Sequence, residues 1–117
     1  MKRVMLWLLL LLPMCAIHAQ TDQRVIDSLQ QVAYSLPHDT TRLFLLKNIT
    51  ISEQYSTNFI KRAEELLQEA KMQNQHSYMC DAAYYHALYY YNYTEEHDSI
   101  AKWVSYIQPI AENIGYW

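Results

Sequence analysis

Phe59 to Ala70 reads FIKRAEELLQEA, with apolar side chains at 59, 60, 63, 66, 67 and 70. Those intervals put every apolar group on one stripe of a 3.6-residue helix and leave Lys61, Glu64, Glu65 and Gln68 for the other side. Val25 to Leu36 repeats the pattern at 25, 26, 29, 32, 33 and 36. Two segments with one period and no alternating stretch between them predict a helical chain. Pro37 ends the first helix, and Asp39-Thr40-Thr41 supplies N-cap chemistry for a second over about 40–54, carrying Leu43, Phe44, Leu46, Ile49 and Ile51. Ser56-Thr57-Asn58 is a polar break before the third. A fourth helix runs from about Ser77 to Asn92. Asp98 is the expected cap of a fifth, which carries Ile100, Trp103, Val104, Ile107, Ile110, Ala111 and Ile114 and closes at Gly115. Pro109 lies inside that helix, removes a backbone bond to Ser105 and predicts a kink.

Around these helices stands a chain of 117 residues with nine Lys and Arg, twelve Asp and Glu, and a single glycine. One glycine excludes phosphate-cradling glycine loops, and the slight acidity excludes an electrostatic footprint for nucleic acid. Residues 1–19 read as a signal peptide rather than as fold. Lys2 and Arg3 precede the uncharged run Val4 to Ile17, and Ala-Ile-His-Ala leads to a cut after Ala19. Fourteen helical residues span about 21 Å, short of the roughly 30 Å hydrocarbon core of a bilayer. A lipoprotein-type cut before Cys15 is disfavoured by the bulk of Met14. The mature segment, 20–117, loses two basic residues and no acidic one, leaving seven against twelve and a net charge of −5. The expectation is an exported, periplasmic domain with no membrane contact after cleavage. Only Cys80 remains in it, so no internal disulfide forms, and a buried small hydrophobe is its simplest role.

Five helices joined by short loops make an all-α antiparallel chain. Helices two and three form one hairpin, four and five another, with starts about 38–40 residues apart, in the range of α-solenoid repeats. Against the tetratricopeptide pattern, Tyr84 and Tyr91 match bulky positions, whereas Leu88 and Ile100 stand where small residues belong. Ala63, Leu67 and Ala70 carry the spacing of a second repeat helix. With the signal peptide, Asp27 to Gln31 (DSLQQ) and Leu36 to Leu46 (LPHDTTRLFLL), the chain resembles a degenerate tetratricopeptide-repeat protein. It is similar to the exported N-terminal region of bacterial repeat-containing sensor histidine kinases and helix-turn-helix regulators. That resemblance implies a short α-solenoid binding a protein or peptide partner, the input segment of a signalling protein, with no cofactor and no catalytic residue. The array is short of three full repeats, and Tyr116-Trp117 follows the last helix directly. Further repeats of a longer chain are therefore expected partners.

Six of the eleven tyrosines, Tyr84, Tyr85, Tyr89, Tyr90, Tyr91 and Tyr93, crowd the fourth helix. At 100° per residue, Cys80, Tyr84, Ala87, Leu88 and Tyr91 form the expected packing stripe. Asp81, Tyr85, Tyr89 and Asn92 lie beside it, and His86, Tyr90 and Tyr93 fall on the far side. In tetratricopeptide proteins the first helix of each hairpin lines the concave groove, so the resemblance makes Tyr85, Tyr89 and Asn92 the candidate ligand-binding residues. Tyrosine suits that work through its apolar area and its hydroxyl. Packing between neighbouring helices is the competing role for the same rings. His76 and Cys80, four apart, have the spacing of a metal edge but lack two further ligands, so no metal site is expected. Cys80 with His76 or His86 as nucleophile and base lacks an orienting acid and oxyanion donors, which leaves a small enzyme as the weaker alternative. A membrane-anchored helical spacer without a ligand is the other. Glu64, Glu65, Glu69, Glu95 and Glu96 read as solvated faces and helix-start charges. Asn48-Ile-Thr50 and Asn92-Tyr-Thr94 match the N-glycosylation acceptor pattern.

Overall fold

The computed structural model describes residues 23–94 and 96–116. The signal-peptide and cleavage expectations, Glu95 and Trp117 lie outside the described residues. Within them the chain forms five helices: α1 (Gln23–Ser35), α2 (Thr40–Ser52), α3 (Phe59–Met72), α4 (His76–Tyr93) and α5 (His97–Ile114). No strand occurs among the described residues, and no described helix is long and apolar enough to cross a membrane.

Local chemistry sets the ends. Asp39 is extended and its carboxylate accepts from Thr41 N at 3.0 Å and Arg42 N at 3.4 Å, satisfying two of the free amides at the start of α2. Asp98 does not cap α5. It sits inside the first turn, and Glu96 holds the N-cap position without a side-chain bond to a backbone amide, its carboxylate accepting from the Ser99 hydroxyl at 3.0 Å instead. Its carboxylate favours the helix start through the dipole instead. Two left-handed residues close helices by the same device. Asn74 has φ 55°, with Gln75 N bonded to Ala70 O at 2.9 Å. Gly115 has φ 69°, with Tyr116 N bonded to Ala111 O at 2.9 Å. Asparagine tolerates this conformation better than most side chains. α5 continues unbroken through Pro109.

Each helix packs on the next in sequence, and among the described helices α2 and α4 are the one non-sequential pair whose backbones come together. The α2 and α4 starts, Thr40 and His76, lie 36 residues apart, and the α3 and α5 starts, Phe59 and His97, lie 38 apart. A core of Ile26, Ala33, Leu43, Leu46, Ile49, Leu66, Leu67, Ala70 and Ala82 runs through α1 to α4. A smaller one, Cys80, Ala83, Ile107 and Ala111, is made by α4 and α5 alone. Trp103 and Tyr106 pack against both.

The α2–α3 hairpin carries a buried ion pair at each end. At its closed end Arg62 Nε donates to Glu53 Oε2 at 2.7 Å, both side chains being at most 5% exposed. At its open end Arg42 Nε lies 2.8 Å from Glu69 Oε1, and His38 Nδ1 lies 2.8 Å from Glu69 Oε2. Arg42 also donates to Leu36 O at 3.1 Å and lies 4.9 Å from the Tyr34 ring centre, which seats the last turn of α1. Glu69 is thus not on a solvated face. It faces the Arg42 guanidinium and the His38 ring, and Gln73 donates to it at 3.1 Å. Burial raises its proton affinity, but the hydrogen bonds from His38 and Gln73 and the charges of Arg42 and His38 outweigh that and hold the carboxyl below its ordinary value.

Candidate functional site

The α2–α4 pairing creates one surface from the first helices of the two hairpins. Its polar joint is Asp81. Lys47 Nζ of α2 lies 3.0 Å from Asp81 Oδ2, and the Tyr116 hydroxyl, beyond α5, donates to Asp81 Oδ1. Lys47 also lies 6.0 Å from the Tyr78 ring centre. The carboxylate is only 13% exposed, so its ionic contact is better shielded than a surface pair. Burial and then the Asp81 bond and charge raise the Tyr116 hydroxyl well above the usual phenol value, which keeps it a donor at neutral pH.

Both helices also present apolar groups to solvent. On α2, Phe44 and Ile51 are exposed, seven residues apart, with exposed Asn48 between them. On α4, Tyr84 and Tyr91 are exposed with half-buried Leu88 between them, and Asn92 is exposed next to Tyr91. Spacings of four and seven place each set on one stripe of its helix. Tyr91, at 73% exposure, and Phe44, at 61%, are among the most exposed large apolar side chains.

Of the residues nominated from the sequence, Asn92 lies on the exposed side of α4. Tyr85 is half-buried, packs against the main core and has its ring centre 6.0 Å from that of Phe59. Burial, then the charge of Asp81, pushes its phenol up to about 12. Tyr89 is half-buried in a ring cluster, 5.3 Å from both Tyr90 and Tyr93, and the Tyr93 hydroxyl donates to Gln54 O at 3.0 Å. The three share a helix but not one environment. The expected packing stripe holds only at Cys80, which is fully buried, with Ala87 and Leu88 half-buried; Tyr84 and Tyr91 are exposed. The buried positions of α4 are Cys80, Ala82, Ala83 and His86. His86, expected on the far side, is 3% exposed and stacks on Trp103 at 4.0 Å and 10°. The reason is that α4 is gripped from two directions, by α3 and by α5, so its small residues turn inward and its rings are left at the margins.

No family model, no curated protein and no solved structure matches the chain. The site must therefore be read from its own chemistry. Cys80 is a buried free thiol whose proton affinity is raised by burial and by Asp81, the opposite of an activated nucleophile. His76 Nε2 lies 3.1 Å from Asn74 Oδ1. Among the described residues no group of three or more His, Cys, Asp or Glu is placed to hold a metal. What the α2–α4 face offers is aromatic and aliphatic area beside amide groups, which suits non-covalent contact with another chain.

Proposed function

We propose that this chain is an exported, tetratricopeptide-like helical module that binds a protein or peptide on the face shared by α2 and α4, as the input segment of a signalling protein. The observation that carries the reading is the α2–α4 contact, the one non-sequential backbone approach among the described helices. Stacked helix hairpins bring their first helices together in this way, and they present extended binding surfaces on one side. Exposed Phe44, Ile51, Tyr84 and Tyr91 supply anchors of the kind that dominate binding energy once desolvated. The neutral, apolar character of the strip favours an uncharged segment of a partner over a polyanion.

The test is selection of peptides from a displayed random library against the purified chain, followed by affinity measurement on variants. Phe44→Ala and Tyr91→Ala should each weaken the selected peptides at least about tenfold, the loss of one modest anchor. Val32→Ala, on α1, should leave them unchanged. Selected peptides that depend on Val32 and ignore Phe44 and Tyr91 would place binding elsewhere. The export reading is tested separately by the mass of the secreted product, which should begin at Gln20.

A further inference from the structure

His86 is a buried, ionisable side chain with no part in the α2–α4 face. Its ring is 3% exposed and lies flat against the Trp103 indole of α5. Neither ring nitrogen makes a hydrogen bond. From α3, Glu64 Oε2 approaches Nε2 to 3.2 Å without hydrogen-bond alignment, and that carboxylate is 49% exposed and hence screened by water. Lys71, also from α3, sits 5.5 Å from the Tyr106 ring centre and opposes a positive charge on the imidazole. α5 contributes Trp103, Tyr106, Ile107, Ile110 and Ala111 to this packing, none of them charged at neutral pH. Tyr106 is the titratable one, and its ring stands edge-on to Trp103 at 5.7 Å.

We propose that His86 is a proton-operated catch for the last helix: uncharged it seals α5 against α4, and on taking up a proton it releases α5 and opens the apolar pocket around Cys80. The physical basis is the cost of charging a ring that is 3% exposed and stacked flat on an indole, where the one opposing charge is the half-exposed Glu64 carboxylate at 3.2 Å. Burial is the dominant influence on the ring and disfavours its charged form, Glu64 counters it in part, and Lys71 adds to it. The open state has only to free one helix. Cys80, Ala83, Ile107 and Ala111 form a cluster to which α4 and α5 alone contribute. α5 also lays Trp103 and Tyr106 on the core of α1 to α4, but the buried residues of that core all come from those four helices. Acid therefore loosens α5 before it loosens the rest, the behaviour of a low-stability unit attached to a firmer one.

The Cys80 thiol reports the opening. In a Cys15→Ser background it is the single thiol, and its reaction with 4,4′-dithiodipyridine can be followed from pH 7.5 to pH 5. The parent is compared at each pH with the same protein carrying His86→Phe, which keeps a flat ring against Trp103 and cannot take up a proton. The ratio of their rates, normalised at pH 7.5, removes the pH dependence of the thiol itself and of every other group. A histidine with an ordinary value near 6.5 when freed, and uncharged when closed, raises the open population up to about thirtyfold at pH 5. A gain above twofold, growing as the pH falls, is the expected result, and a flat ratio within twofold overturns the catch. A Cys80→Ala, Ala70→Cys protein moves the thiol into the α1–α4 core. It should show no His86-dependent gain, and an equal gain there would mean global unfolding and overturn selective release of α5. Should His86→Phe lack the parent's helical spectrum, His86→Gln is judged by the same thresholds.

Discussion

Replacing Arg62 by methionine removes the partner of a carboxylate that cannot reach water. Glu53 is 2% exposed, and its contact to Arg62 is 2.7 Å. Its other polar neighbour is the Asn58 side-chain amide at 3.5 Å, too long to replace a guanidinium. Breaking one side of a buried pair costs about 3–5 kcal/mol, because the remaining charge stays desolvated and alone. A domain of this size holds about 5–15 kcal/mol in total, so Arg62→Met removes at least about a fifth of it. At about 4–8 °C per kcal/mol, the melting midpoint should fall by at least about 12 °C. The assay is thermal melting by circular dichroism at 222 nm and neutral pH. Two companions make the reasoning specific. Lys61→Met, the adjacent exposed cation, should move the midpoint by less than about 4 °C. Glu53→Gln combined with Arg62→Met should recover most of the loss, because the uncompensated charge is gone. A drop below about 4 °C for Arg62→Met would refute the reasoning, as would a double variant no more stable than the single one.

Asp39→Ala removes the carboxylate that caps α2 and should cost about 1 kcal/mol, read as a midpoint about 4–8 °C lower. Gly115→Ala meets no atom within 4 Å but must hold φ +69°, so backbone strain alone should cost about 1 kcal/mol and fray the end of α5 in hydrogen exchange. Glu69 is held below its ordinary value when folded, so its contribution is full above the unfolded carboxylate value near 4.5 and disappears as the pH falls through the lower folded value. The midpoint of the parent should therefore drop more steeply than that of Glu69→Gln across this window, and parallel curves would remove Glu69 from the acid response.

The helices were readable because α1 and α3 carry clean apolar stripes, and because Pro37, Asp39 and Gly115 mark ends by mechanisms that act within four residues. α4 was not readable in the same way. Its alanines and tyrosines leave hardly any side conspicuously polar, so periodicity cannot say which side turns inward. Tyrosine settles equally well at a margin or in a core, which is why Tyr84 and Tyr91 came out exposed and Tyr85 half-buried. The only local hint was the placement of Ala82 and Ala83, small enough for two helices to approach at once. The buried charges were hidden for a different reason. Glu53 finds Arg62 nine residues on, and Glu69 finds His38 thirty-one residues back, separations at which a single sequence offers no pairing rule. The same holds for His86 and Trp103, whose contact exists only because α4 and α5 fold back on each other.

Asp81 fastens α2, α4 and the segment after α5 at one point. The approach of α2 to α4 sets how far one hairpin tilts on the other, and a lysine of α2 and a tyrosine beyond α5 both hold that one carboxylate. Tilt between successive hairpins is what becomes curvature in a stacked helical array. At 13% exposure the Asp81 carboxylate is screened little by salt, so raising the ionic strength should leave the Lys47 spoke, and with it the seating of α2 on α4, largely in place.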